Sequence, residues 1–288
     1  MIHLILNIAC LAADPLWVAK PLTAERSFTK EIEGPAVDRN GDIYAVSFAR
    51  KPTIGKIRPD GTGEVWLEMP NGSLANGIRF DRKGLMYVAD YTNHNVLRID
   101  PATKKIEVFA HEPKMNQPND IAMAPDETLY ASDPNWKEGT GQIWHIDRDG
   151  KVKRVAESMG TTNGIDVSPD GKRLYVNESA QRKIWVFDIA KDHSLTNKRL
   201  FIEFPDFGFD GMRVDVKGNL YATRHGKGKV VVISKKGKVL REIDVLGKNP
   251  TNLCFGGKDG KTVYVTEVEH GRLVSFRTDT KGREYGHF

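Results

Sequence analysis

Six times along the chain, a short apolar run, a turn carrying Gly or Pro-Asp, and a second run of the Leu-Tyr-Val type follow one another. Apolar residues alternate with polar ones, which is the period of a strand rather than of a helix. The six segments are EGPAVDRNGDIYAVS, NGIRFDRKGLMYVAD, NDIAMAPDETLYASD, NGIDVSPDGKRLYVNE, DGMRVDVKGNLYATR and TNLCFGGKDGKTVYVTE. They align on Glu33, Asn76, Asn119, Asn163, Asp210 and Asn252, spaced 42 to 47 residues apart. Each of these is followed 11 or 12 residues later by a tyrosine: Tyr44, Tyr87, Tyr130, Tyr175, Tyr221 and Tyr264. A third strand follows each hairpin, as in NVLRID, QIWHID, KIWVFD and KVVVIS. A more polar fourth strand closes most units, as in EVWLE, IEVFA, VKRVA, RLFIE and VLREI. Four strands per repeat of about 40 residues predict an all-β fold, a six-bladed β-propeller of four-stranded blades spanning residues 26–288. The sixth unit has only three strands, ending at RLVSF. The run RSFTKEI, residues 26–32, is therefore expected to supply the outer strand of the last blade and hide its open edge.

In such a ring the innermost strand of every blade faces the central channel, so the six aligned positions converge on one rim. The second strand runs back antiparallel and returns its last residues to the same rim: Ser47, Asp90, Asp133, Glu178, Arg224 and Glu267. Two carboxylates and four amides around one axis make an oxygen-rich cage. Hard divalent cations prefer such donors, and Ca²⁺ tolerates their irregular geometry best. Zn²⁺ suits the ring less because no His or Cys joins it; Mg²⁺ and Mn²⁺ stay open. A lone Asn at a strand entry would be explained by a local backbone hydrogen bond. A ring in which acids fall at only two of six equivalent positions is not.

Composition narrows the class without deciding it. A chain of 288 residues with 39% hydrophobic content can bury a core, and one large β-domain fits that length. The net charge of +5 comes from 43 Lys and Arg mixed among 38 acids, with no basic stripe interleaved with aromatics, so no nucleic-acid partner is expected. The start, MIHLILNIACLAADP, has a short apolar run and a small-residue Ala12-Ala13 exit, like the end of a secretory signal peptide. The expectation is an N-terminal extension over residues 1–25 and a secreted or periplasmic protein, with a cytoplasmic one as the alternative. The apolar run is too short to span a bilayer. Cys10 and Cys254 are the only cysteines, so cleavage would leave no disulfide. There is no G-x-S-x-G elbow and no H-E-x-x-H. GGKDGKT, at 256–262, lacks the spacing of a phosphate loop and sits in a hairpin turn.

The Glu33-Gly-Pro, Asn119-Asp120, Asn163-Gly164 and Asp210-Gly211-Met212 motifs resemble those of the SMP-30/gluconolactonase/LRE-like family, six-bladed propellers that include calcium-dependent sugar lactonases. The resemblance covers about residues 26–280. It implies one divalent metal on the axis held by Glu33, Asn119, Asn163 and Asp210, with Asn119 shared between metal and substrate. LYASDPNW resembles the stretch that borders the substrate in gluconolactonases but carries Asn135-Trp136 where they have Pro-Tyr. Gln117 stands where animal lactonases place a substrate-holding Arg, so their sugar recognition does not carry over.

The expected chemistry is hydrolysis of a small-molecule lactone at the cation, by a monomer or weak homo-oligomer, with Asp210 as metal ligand and general base by resemblance. Asp133, Glu178 and His225 are rivals for the base. Substrate contacts are expected from Asn76, Asn119, Asp133, Trp136, Glu178, Arg224 and His225. Two alternatives remain: another metal-dependent esterase or phosphotriesterase on this scaffold, or a non-catalytic propeller binding a protein or glycan.

Overall fold

A computed structural model describes residues 15–70 and 72–284; the N-terminal run read as a leader, with Cys10, lies outside them. Every regular element among the described residues is a strand, and none is a helix long and apolar enough to cross a membrane. Six antiparallel four-stranded sheets span residues 36–68, 75–111, 121–159, 162–203, 212–244 and 250–277, and the inner strands of neighbouring sheets touch around a closed ring. The repeat read from the sequence is therefore the blade.

The core is divided among six blade interfaces rather than pooled at the centre. Each repeated tyrosine sits on the second strand of its blade and packs into the interface with the next. Tyr44 meets Phe80 of the second blade edge-on at 5.4 Å, and Tyr221 meets Phe255 of the sixth at 5.0 Å. All six are buried. A rigid aromatic at this position ties one sheet to the next, which is why it recurs at fixed phase.

The ring is closed by an N-terminal strand, but not by residues 26–32. Lys20 and Pro21 pair with Ser275 and Val274, giving the sixth blade its fourth strand. Trp17 packs in the interface of the fifth and sixth blades, with the Arg241 guanidinium 4.5 Å above its ring. Residues 26–32 instead carry the chain from the sixth blade to the first. Arg26 and Phe28 donate to the carbonyls of His270 and Gly271, and Thr29 donates to Ser47. The alternation that suggested a strand comes from Phe28 and Ile32, which are buried between those two blades. A truncation starting at residue 24 should lose the cooperative melt of the intact chain, because it uncovers both a strand edge and the Trp17 site. A truncated protein melting cooperatively at the intact temperature would count against this closure.

One buried histidine makes stability depend on pH. His145 is stacked on His193 at 4.5 Å, and its Nε2 has no hydrogen-bond partner. Burial, and after it the neighbouring His193, lowers its pKa from 6.5 to about 4, against the weaker pull of Asp126 and Asp147. Below pH 6.5 the unfolded chain takes up a proton that the folded protein refuses. Stability is therefore lost as pH falls from 6.5 toward 4, by up to about 3 kcal/mol. His145→Phe, which keeps an aromatic stack, should flatten the urea midpoint over this range; equal slopes in both proteins would refute the assignment.

Candidate functional site

The six aligned residues do meet on one rim, and local packing explains the glycine that follows four of them. A Cβ on Gly34 would collide with the Asn76 carbonyl, and one on Gly211 with the Asn252 side chain. The inner strands approach so closely that backbone bonds cross between blades: Gly77 donates to Asn119, Gly164 to Asp210 and Gly211 to Thr251. Asn-Gly, Glu-Gly and Asp-Gly are thus the signature of a tight ring carrying polar side chains at its mouth.

Within the ring the residues are not equivalent. Glu33 Oε2 accepts from its neighbour Gly34 N at 2.9 Å and from Asn252 Nδ2 at 3.0 Å, and the Glu33 carboxyl is hydrogen-bonded to that of Asp210. Burial, with the charge of Asp120 adding to it, raises the Glu33 pKa to about 7. Burial and the Glu33 charge push Asp210 well above the usual carboxylate range. Two acids held this close disfavour double ionisation unless a cation lies between them. Beside Asp210, Asn163 donates through Nδ2 to Ser179 Oγ at 3.1 Å and leaves its buried Oδ1 without a partner. Asn252 differs: its Oδ1 is taken by Leu253 N, and its Nδ2 faces Glu33 and Asp120, so it positions acids rather than offering an oxygen. Asn76 and Asn119 are each 7% exposed, with side-chain amides that make no hydrogen bond among the described residues. A buried amide oxygen with no partner beside two proton-sharing carboxylates is what a hard divalent cation would complete, so the residues fit one.

A cavity of about 460 Å³ opens beside this cluster, lined by Asn163, Asp210, Trp136, Phe207, Arg182 and His225 among others. Trp136 and His225, both expected at the substrate, line this cavity. Asn76 stays on the ring and does not line the cavity. Tyr91 was not anticipated. Its phenol lies near Trp136 and is raised in pKa by burial and then by the charges of Asp210 and Glu33. Its only sequence signal is its place directly after Asp90, at a second-strand end.

The second-strand ends are a correction. Asp133, Glu178 and Arg224 were expected to touch substrate, but all three are buried and grip the loop entering their own blade. Asp133 accepts from the backbone of Asn116 and Gln117 and from the side chains of Gln142 and Trp144. Glu178 accepts from Gly160 N at 2.7 Å. Arg224 donates to the carbonyl oxygens of Asp206 and Phe207 and to the Asp206 carboxylate, and lies 3.9 Å above the Phe204 ring. An acid stands where the loop presents N–H groups, and an arginine where it presents carbonyls. Both oxygens of Asp133 are taken up in this way, and neither Asp133 nor Glu178 lines the cavity beside Asp210. Glu267, which with Glu269 and His270 forms the one cluster of potential metal-ligating groups found off the axis among the described residues, is likewise occupied by its loop: it accepts from the backbone of Glu269 and His270 and from the His270 ring.

Beneath the ring, a layer of charge fills the channel. Asp120 accepts from Arg213 at 3.0 Å and pairs with Arg79 at 3.2 Å. Arg283 pairs with Asp166 and donates to the Met123 carbonyl, and Glu284 pairs with Arg79. The C-terminal segment that the sequence left as a polar tail thus inserts into the channel end away from the cavity.

The sequence model of the family described as SMP-30/Gluconolactonase/LRE-like region matches residues 22–269. The chain is 25% identical to a gluconolactonase of Zymomonas mobilis, over 92% of this chain and 83% of that protein. It is 28% identical to a diisopropyl-fluorophosphatase of Loligo vulgaris, over 88% and 90% of the two chains. The solved structure of a calcium-binding regucalcin from Agrobacterium tumefaciens has the same fold, with a TM-score of 0.80 at 20% identity, covering 94% of this chain and 97% of that one.

Proposed function

This chain belongs to the SMP-30/Gluconolactonase/LRE-like family, and we propose that it is a lactonase that opens a sugar-type lactone with the help of one divalent cation, Ca²⁺ by preference. The observation that carries the reading is the unpartnered, buried Asn163 Oδ1 beside the proton-sharing Glu33–Asp210 pair. Gluconolactonase relatedness over most of both chains supports the substrate class. Glu33, Asn119, Asn163 and Asp210 would hold the cation, which would supply Lewis-acid polarisation of the lactone carbonyl.

The remaining work falls to the chain itself. Asp210 lines the cavity and takes a proton from the water that attacks the carbonyl carbon; the same proton then goes to the ring oxygen as the C–O bond breaks, giving the hydroxy acid. Trp136 and Phe207 offer apolar faces to the lactone ring. Asn252 holds Glu33, and Asp120 holds Asn252 at 3.4 Å, so the acids stay placed. His225, exposed at the cavity rim, is left as a substrate contact.

The diisopropyl-fluorophosphatase relative favours a second reading, hydrolysis at phosphorus by the same machinery. A panel of aldonolactones, aryl esters and a fluorophosphate separates the two. On the first reading, aldonolactones are turned over fastest. Exhaustive chelation should lower that rate by at least about a hundredfold, and Ca²⁺ should restore it. Undiminished turnover after metal removal would overturn the cation-dependent account.

A further inference from the structure

We infer that the lactone taken by this site carries a carboxylate substituent, bound by Arg182; the inference rests on the lactonase reading above. Arg182 lines the same cavity as Asn163 and Asp210. Its backbone is pinned: its N–H donates to Ser179 O, its carbonyl accepts from Phe204 N, and its φ of 59° lies in the left-handed region that few side-chain-bearing residues adopt. Its guanidinium has no hydrogen-bond or ion-pair partner among the described residues. By contrast, Arg50, Arg98 and Arg199 each pair with an acid across their own sheet. An unneutralised guanidinium on a cavity wall, carried by a pinned backbone, marks where an anion is expected.

The cavity is divided in a way that orients such a substrate. Asp210, with Glu33 behind it, puts the acids at one end, where the residues would hold the cation. The wall between is apolar, with Trp136 and Phe207 40% and 47% exposed. Phe207 is held there because Arg224 grips the loop around it. Among the described residues Asp210 is the only acid lining the cavity, so nothing negative among them accompanies Arg182 at its own position. A ring laid on the aromatic faces, with its carbonyl at the acid end, sends a remote substituent toward the guanidinium. The planar two-pronged donor matches a planar carboxylate. The volume of about 460 Å³ admits a five- or six-membered lactone with its substituents.

The test compares the 1,4-lactone of a hexaric acid, which keeps a free carboxylate, with the 1,4-lactone of the matching hexonic acid, which does not. Wild type, Arg182→Gln and Arg182→Glu are assayed with saturating Ca²⁺. The ratio of kcat/KM for the acidic over the neutral lactone should fall about fivefold in Arg182→Gln and at least about tenfold in Arg182→Glu, mainly through KM. The preference should shrink as salt is raised from about 0.01 to 0.5 M. Both lactones losing activity in parallel, or an unchanged ratio, would overturn the assignment. Calorimetric titration of the three proteins with the hexarate itself keeps the two readings apart. Arg182-dependent binding without turnover of either lactone would sink the lactonase reading, and the lactone part of this inference with it, while leaving Arg182 as a carboxylate site; turnover without charge discrimination would uphold the lactonase reading and overturn the role of Arg182.

Discussion

Glu33→Ala and Asp210→Ala should each lose Ca²⁺ affinity by at least about a thousandfold, and hydrolysis with it, while their metal-free forms melt no lower than the wild type. The first part follows from removing a formal charge from a partly desolvated oxygen site. The second follows from the cost of the pair. Each acid is raised in pKa chiefly by burial, Asp210 further by the Glu33 charge and Glu33 by that of Asp120, so without a cation the pair is a burden on the fold. Removing one member relieves that burden, and the blades remain packed by six separate interfaces. Ca²⁺ should raise the melting temperature of the wild type and of neither variant.

The amides divide as the hydrogen bonds do. Asn163→Ala deletes the unpartnered oxygen and should behave like the acid variants, though less severely. Asn252→Ala removes a donor to Glu33 and should weaken the metal by about tenfold, the range for a residue that orients a ligand. Asn76→Ala should keep the metal. Calorimetry on the five variants tests the division. Equal loss in all five would mean one undivided six-residue site and would discard the choice of ligands.

The blade was legible because its causes are local: alternation, turn residues and a tyrosine at fixed phase are each set within a few residues. The ring was legible because repetition turns sequence position into a place on a circle. The closing strand was misplaced by a few residues because Phe28 and Ile32 satisfy the alternation equally well while crossing between blades. The second-strand ends were misread for a different reason. A rim position gives depth along the axis but not direction, and Asp133, Glu178 and Arg224 turn into their own blade to meet loop backbone whose course no local pattern fixes. Part of the channel network did leave a trace. Arg79, Asp166 and Arg213 each stand three residues after a ring position, on strands otherwise apolar, and they form the charged layer below.

Arg283→Ala should cost about 3–5 kcal/mol of stability, the largest single-residue loss expected outside the aromatic core. The side chain is 4% exposed, pairs with Asp166, and donates to the Met123 carbonyl, while its backbone N–H donates to Val214. It therefore ties the tail to the third, fourth and fifth blades at once. Truncation leaves Asp166 buried with two backbone donors, Val167 N at 2.8 Å and Val214 N at 2.7 Å, but without its paired cation, which is the costly way to break a buried pair. For a chain of this size the melting temperature should fall by roughly 6–10 °C. Asp166→Asn in the same background removes the stranded charge, so the double variant should be more stable than Arg283→Ala alone, by at least about 1 kcal/mol in a double-mutant cycle. A loss below 1 kcal/mol in Arg283→Ala, or strict additivity of the two changes, would show that the tail merely rests at the channel mouth. The predicted pattern instead makes the C-terminal residues the plug that closes the far end, leaving the Trp136–Phe207 cavity as the route by which substrate reaches the ring.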